Sequence, residues 1–244
     1  MGKIAEPRRI PIGMADTFLL AVWKTSAYAR RRSKIMKKLP LFAAALALLL
    51  SACSTEDGGE GNDVTYGELY DSRDGKTYKT VKIGVQTWMA ENLNYPASGS
   101  MCYDEISANC IKYGRLYDWQ TAKNACPSGW HLPYRSEWEA LNKSVGGEKK
   151  AGKKLKAKTG WYDWQGAPGN GTDDYGFSAL PGGYCTGGDY YGECSFAGIC
   201  GEWWTPGDNN GYIAYSWLMS GAYDEAGYAL MGNLAFLSVR CVRD

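Results

Sequence analysis

The sequence predicts an α+β domain with short strands, two to three helices and long loops rich in glycine and aromatic residues. Three observations carry this. Extended patterning comes first, helical spacing follows and short strands close the chain, an order unlike a βαβ repeat. Nine of the ten Trp and 17 of the 18 Tyr lie beyond residue 63, which gathers the material for one core there. From Val64 to Asp244 no second linker interrupts the pattern, so residues 64–244 read as a single domain.

Each element follows from its local pattern. Asp74-Gly75 is a turn dipeptide; Lys76 to Ile83 is an extended run rich in Thr, Val and Tyr, and Gly84-Val85 turns the chain into a second run, Gln86 to Ala90. Leu116, Trp119, Ala122 and Lys123 sit at helical spacing, predicting a helix over Tyr113–Ala125 that Pro127-Ser128-Gly129 ends. Trp138, Leu141 and Val145 form the apolar stripe of a helix over Arg135–Val145, stopped by Gly146-Gly147. A Lys-rich helix over about Glu148 to Lys158 has Ala151 and Leu155 as its buried pair. Its six lysines read as a solvated face or as contacts to anionic polysaccharide or headgroups. Short strands follow near Tyr212–Met219 and Leu234–Val242.

Ahead of this domain stands an export segment. Met36-Lys37-Lys38 is basic, and Leu39 to Leu50 is an uninterrupted apolar run, of signal-peptide length and too short to span a bilayer. Leu50-Ser51-Ala52-Cys53 then resembles a bacterial lipobox, in which cleavage precedes the Cys and its thiol receives a lipid. Residues 36–52 are thus expected to be a lipoprotein signal peptide. Residues 53–63, with four acids and no large apolar side chain, are expected to form a flexible tether. Residues 1–35 read as an upstream extension, with translation starting at Met36. Ser54, where an Asp would favour the inner membrane, points to the outer membrane or cell surface.

Charge narrows the partners. Residues 1–52 hold 10 of 27 basic and 2 of 26 acidic residues, leaving 17 basic against 24 acidic from Cys53 onward, a net charge of −7. Nucleic-acid affinity rests on neutralising phosphates, so nucleic acid is not an expected partner. His131 is the only histidine, which argues against histidine-rich metal sites; it reads as a structural residue with no titratable partner fixed by spacing.

Several segments resemble a known family. Asp71-Ser72-Arg73-Asp74-Gly75-Lys76-Thr77-Tyr78, Gln86 to Tyr95 (QTWMAENLNY), Tyr113 to Trp119 (YGRLYDW) and Cys126 to Pro133 (CPSGWHLP) are among them. Glu137-Trp138, Ala151 to Lys156 (AGKKLK), Asp174 to Gly183 (DYGFSALPGG), Trp203-Trp204 and Ser238 to Asp244 (SVRCVRD) complete the set. In this order they resemble the Fibrobacter succinogenes major paralogous domain over about residues 70–244. That resemblance implies an exported, often lipid-anchored protein, in a family without an established activity. Gly129-Trp130-His131-Leu132-Pro133 with Glu137-Trp138-Glu139, and Val239 to Arg243, also resemble the formylglycine-generating, sulfatase-modifying family. This implies a C-type-lectin-like α+β fold, in which a disulfide commonly ties the first helical region to the last strand. Tyr134 departs from the pattern where a Thr would cap the second helix and pair with Glu137, a loss of about 1 kcal/mol unless Ser136 or water substitutes. Sulfatase-modifying activity does not carry over, because Cys194 and Cys200 have a different spacing from the close pair that chemistry needs.

With Cys53 lipidated, Cys102, Cys110, Cys126, Cys185, Cys194, Cys200 and Cys241 remain for bridges in an oxidising compartment. Cys102–Cys110 would close a short loop and Cys126–Cys241 a long one; Cys185 would take Cys194 or Cys200. Asp173-Asp174 read as a calcium loop or as a polar turn; calcium is the one cofactor considered. Trp161, Trp164, Trp203 and Trp204, with Asp208 and Asn209, are candidates for stacking on sugar faces and fixing hydroxyls, and further polar groups come from the loop Asp189-Tyr190-Tyr191. Adjacent Trp in a strand point to opposite faces, so at least one of Trp203 and Trp204 should be core. The expected function is a non-enzymatic, lipid-anchored domain binding an extracellular polysaccharide. The alternatives are a sulfatase-modifying or carbohydrate-processing enzyme and a purely structural envelope protein.

Overall fold

The computed structural model describes residues 64–187, 193–209 and 211–244, with only the backbone of 208 and 209. The signal peptide, Cys53, the tether and the Asp189–Tyr191 loop lie outside the described residues. The described residues all fall within one unit, Gly58–Asp244. Among them, no helix is long and apolar enough to cross a membrane.

The domain opens with strands β1 (Thr65–Asp71), β2 (Lys76–Ile83) and β3 (Gln86–Met89), then a short β4 (Ser100–Met101). Helix α1 (Ser107–Tyr113), strand β5 (Leu116–Asp118), the single turn α2 (Trp119–Ala122) and β6 (Trp130–His131) follow. Helices α3 (Arg135–Ser144) and α4 (Glu148–Leu155) lead through a long loop to β7 (Tyr184–Cys185) and β8 (Cys194–Ser195). The chain ends in β9 (Cys200–Asn209), β10 (Ile213–Ser220), β11 (Ala226–Gly232), β12 (Phe236–Ser238) and β13 (Val242–Arg243).

Two sheets result. The smaller has the order β1-β2-β3-β13-β6; the larger runs β11-β10-β9-β12-β5-β4, with β7 and β8 attached through β12. This is an α+β arrangement of antiparallel strands, except for the parallel contact of β12 with β9 at Ser238 and Trp203.

Helices α3 and α4 bury Trp138, Leu141, Val145, Ala151 and Leu155 against Val81, Trp88, Trp203 and Trp217. A second core of Leu69, Tyr78, Met89, Tyr117, Trp204 and Leu237 fills the other side. β9 lies between them, so the alternation of a strand sends Trp203 into the first core and Trp204 into the second. Trp138 is the hub of the first, stacked on Trp217 at 5.6 Å between centroids and tilted against Trp88 at 4.7 Å.

Several expectations are corrected. Four α-helices are present among the described residues, not two to three, and Tyr113–Ala125 is not one of them. Its middle, Leu116–Asp118, is strand β5, paired with Phe236–Ser238 of β12. Tertiary pairing overrides the helical spacing there, and Asp118 then starts α2 by accepting the Thr121 N–H at 2.7 Å. Helix α4 ends at Leu155, so Lys156 leaves the solvated face and is buried, its ammonium held by the Ser220 and Tyr223 carbonyls at 2.9 Å each. Burial pushes its pKa down to about 8. At the start of α3, half of the capping box survives: Glu137 accepts the Tyr134 N–H at 2.8 Å, and the tyrosine makes no side-chain cap bond.

Three disulfides close the domain: Cys102–Cys110, Cys126–Cys241 and Cys185–Cys194. Cys194 is therefore the partner of Cys185, and Cys200 is the free thiol.

Candidate functional site

The segment Ala90–Asn94, strands β1 and β2, helix α1 and the loop 176–180 enclose a groove of about 860 Å³. Its walls alternate in chemistry. Lys79 and Glu91 stand together, with the Lys79 N–H donating to Glu91 at 2.7 Å. The register of β1 and β2 places Glu68 opposite Lys79. Lys76 reaches Asn94 carbonyl at 2.5 Å and Asp74 at 3.1 Å. The exposed Lys112 lies 4.6 Å from the centre of the Tyr113 ring. Tyr66, 60% exposed, lies on Gly176, where an added Cβ would fall 2.1 Å from the phenol oxygen; only glycine admits this approach.

Beneath the groove sits the network that shapes it. Asn92 is buried, and its Oδ1 accepts from Trp203 Nε1 at 2.9 Å and from Arg240 Nε and Nη2 at 3.1 and 2.8 Å. Its Nδ2 donates to the Tyr113 carbonyl at 2.8 Å. Arg240, fully buried, also donates to the Phe177 and Ser178 carbonyls and lies 4.4 Å from the centre of the Phe177 ring. Burial with neutral acceptors pulls its pKa down to about 9. One amide thus pins β13's approach, the 90–94 segment and β9 together.

A second polar cluster surrounds His131. Its Nδ1 is 2.6 Å from Asp244 Oδ1, and its Nε2 is 2.9 Å from Glu137 Oε2. Burial opposes the imidazolium, yet the two carboxylates outweigh it and raise the pKa. His131 therefore has the titratable partners that spacing did not reveal. The available signal is Glu137, six residues on in the first turn of the helix.

Of the predicted ligand contacts, Trp161, Trp203 and Trp204 are buried. Their indole N–H groups bond to the Ala179 carbonyl, Asn92 and the Tyr117 carbonyl. None offers a ring face for sugar stacking. Both faces of β9 are covered, so the Trp pair is core on both sides. Trp164, 36% exposed, keeps an open ring. Asp208 and Asn209 end β9 opposite Ala214 and Ile213; their side chains lie outside the described residues. The Asp173 carboxylate oxygens accept the Ser178 N–H and hydroxyl, each at 2.7 Å. Neither Asp173 nor Asp174 belongs to a cluster of three or more candidate ligands among the described residues.

Two further buried groups lie on β9. Glu202 accepts the Ser216 hydroxyl at 2.6 Å, and burial pushes its pKa up to about 7. The Cys200 thiol is pushed up to about 12 by burial and by Glu202, the opposite of an activated nucleophile. With Cys194 bonded to Cys185, the Cys194 and Cys200 sulfurs form no reduced pair.

These features define a disulfide-closed α+β domain with a polar groove over a buried arginine–asparagine network. The Fibrobacter succinogenes major domain matches residues 81–243, and the chain belongs to that family. No curated protein and no solved structure matches it.

Proposed function

We infer that this is an exported, lipid-tethered and non-enzymatic domain that binds an extracellular glycan in adhesion or envelope organisation. The groove carries the reading. Its amide, carboxylate, ammonium and phenol groups alternate over a length suited to hydroxyl-rich chains, and Tyr66 lies open at its wall. Three disulfides fit an oxidising compartment. The lipobox ending at Cys53 supplies the anchor in the outer membrane or at the cell surface. The Cys126–Cys241 bridge between the helical half and the final strand supports a C-type-lectin-like arrangement.

The test is retention of the purified protein on insoluble cellulose, xylan and mannan. Binding to at least one, weakened tenfold or more by the pair Tyr66→Ala and Lys112→Ala, is the expected result. Absence of retention on all three refutes the glycan reading. Labelling with radioactive palmitate tests the anchor: Cys53→Ala should abolish incorporation.

A further inference from the structure

Away from the groove, the first turn of α3 faces strands β9 and β10 across a smaller concavity of about 340 Å³, lined by Tyr134, Arg135, Ser136, Thr205, Gly207 and Tyr215. This is at the small end of ligand clefts and suits a short stretch of sugar rings. Two of its six lining residues are tyrosines, and a third stands nearby. Tyr134 is 58% exposed, and Tyr228, on neighbouring β11, is 53% exposed. Tyr215 pairs with Leu230 and Trp217 with Tyr228, so Tyr215 and Tyr228 are diagonal neighbours on one sheet face. Gly207 lies against the edge of the half-buried Tyr215 ring, where a Cβ would meet Cδ2 at 3.1 Å.

Arg135 joins the rings. Its guanidinium lies 3.9 Å from the centre of Tyr228, and its Nε donates to Glu139 at 2.8 Å. The plane is thereby fixed, with donors and a carboxylate acceptor side by side at the rim, as sugar hydroxyls require. The same pairing sets the charge of the ligand. Among the described residues lining the pocket Arg135 is the only cation, and Glu139 balances it. The chain from Cys53 onward carries a net charge of −7. A sugar carboxylate would find no uncompensated cation here and would meet a repulsive field.

We propose that this tyrosine pocket is a second glycan site, separate from the groove, selective for uncharged pyranose chains that stack on Tyr134, Tyr215 and Tyr228 and hydrogen-bond to Arg135 and Glu139. It rests on the glycan reading above. The purified protein is tested on insoluble cellulose, xylan and mannan as neutral probes and on immobilised polygalacturonate as the acidic one, with and without 1 M NaCl. Neutral polymer should be retained at both salt levels and polygalacturonate at neither, because contacts through ring faces and hydroxyls are not screened. Tyr134→Ala and Tyr228→Ala should each weaken retention about tenfold, whereas Tyr228→Phe, which keeps the ring, should not; both positions are exposed enough to leave folding intact. Stronger, salt-sensitive retention on polygalacturonate overturns the proposal. So does loss of binding in the Tyr66 and Lys112 pair with none in the tyrosine variants, a result that leaves the groove reading standing. Failure to bind any polymer removes both.

Discussion

Asn92 performs a task that few single side chains could share. Its carbonyl oxygen is the main acceptor for a buried guanidinium that has no carboxylate, and its amide nitrogen holds the Tyr113 carbonyl beside the groove. A buried charge deprived of its acceptor is among the costliest defects in a core. Asn92→Ala is expected to lower stability by about 3 kcal/mol, read as a fall in the urea midpoint with little change in slope. Lys156 follows the same logic, held by two carbonyls and no acid. Neither burial is visible in the sequence. Lys156 sits in a run of lysines that is otherwise solvated, and the acceptors of Arg240 lie 148 and 63 residues away.

At the scale of elements, the contact between β6, α3 and β13 depends on protonation. The folded pKa of His131 is raised, because the imidazolium bridges Glu137 and Asp244. Stability from the bridge is thus fully present below the unfolded value near 6.5 and is lost as pH rises through the higher folded value. The urea midpoint of the wild type should exceed that of His131→Gln at about pH 5.5, with the gap closing by about pH 8.5. An unchanged gap would mean that the imidazole acts by shape alone. Local pattern recovers the elements whose partners are near in sequence. β2 keeps its expected span of Lys76 to Ile83, and α3 departs from its expected end by one residue. It fails where a partner is remote: Leu116 and Trp119 have helical spacing, but Phe236–Ser238 supplies the pairing that makes Leu116–Asp118 a strand. The candidate site suffers most. Aromatic residues suggest stacking surfaces equally well whether they face water or core, so the tryptophans drew attention and the tyrosines that lie open did not.

For the molecule as a whole, the three bridges differ in reach. Cys102–Cys110 and Cys185–Cys194 span 8 and 9 residues, whereas Cys126–Cys241 spans 115 and joins the helical half to the closing strands. In the chain-entropy account the long bridge contributes about 4–5 kcal/mol and each short one about 2–3 kcal/mol. Replacing both Cys126 and Cys241 by Ser should therefore lower the thermal midpoint more than replacing the Cys102–Cys110 pair, as measured by scanning calorimetry. Equal losses would show that loop size is not what governs stability here.

The insertion of β13 between β3 and β6 has a consequence for biosynthesis. Residues 236–244 bring an internal strand to each sheet, the buried guanidinium and one half of the longest bridge. A nascent chain lacking that stretch has two unfinished sheets and no route to closure. Under the export proposed above, a chain still short of that stretch would be open to threading through a translocation channel.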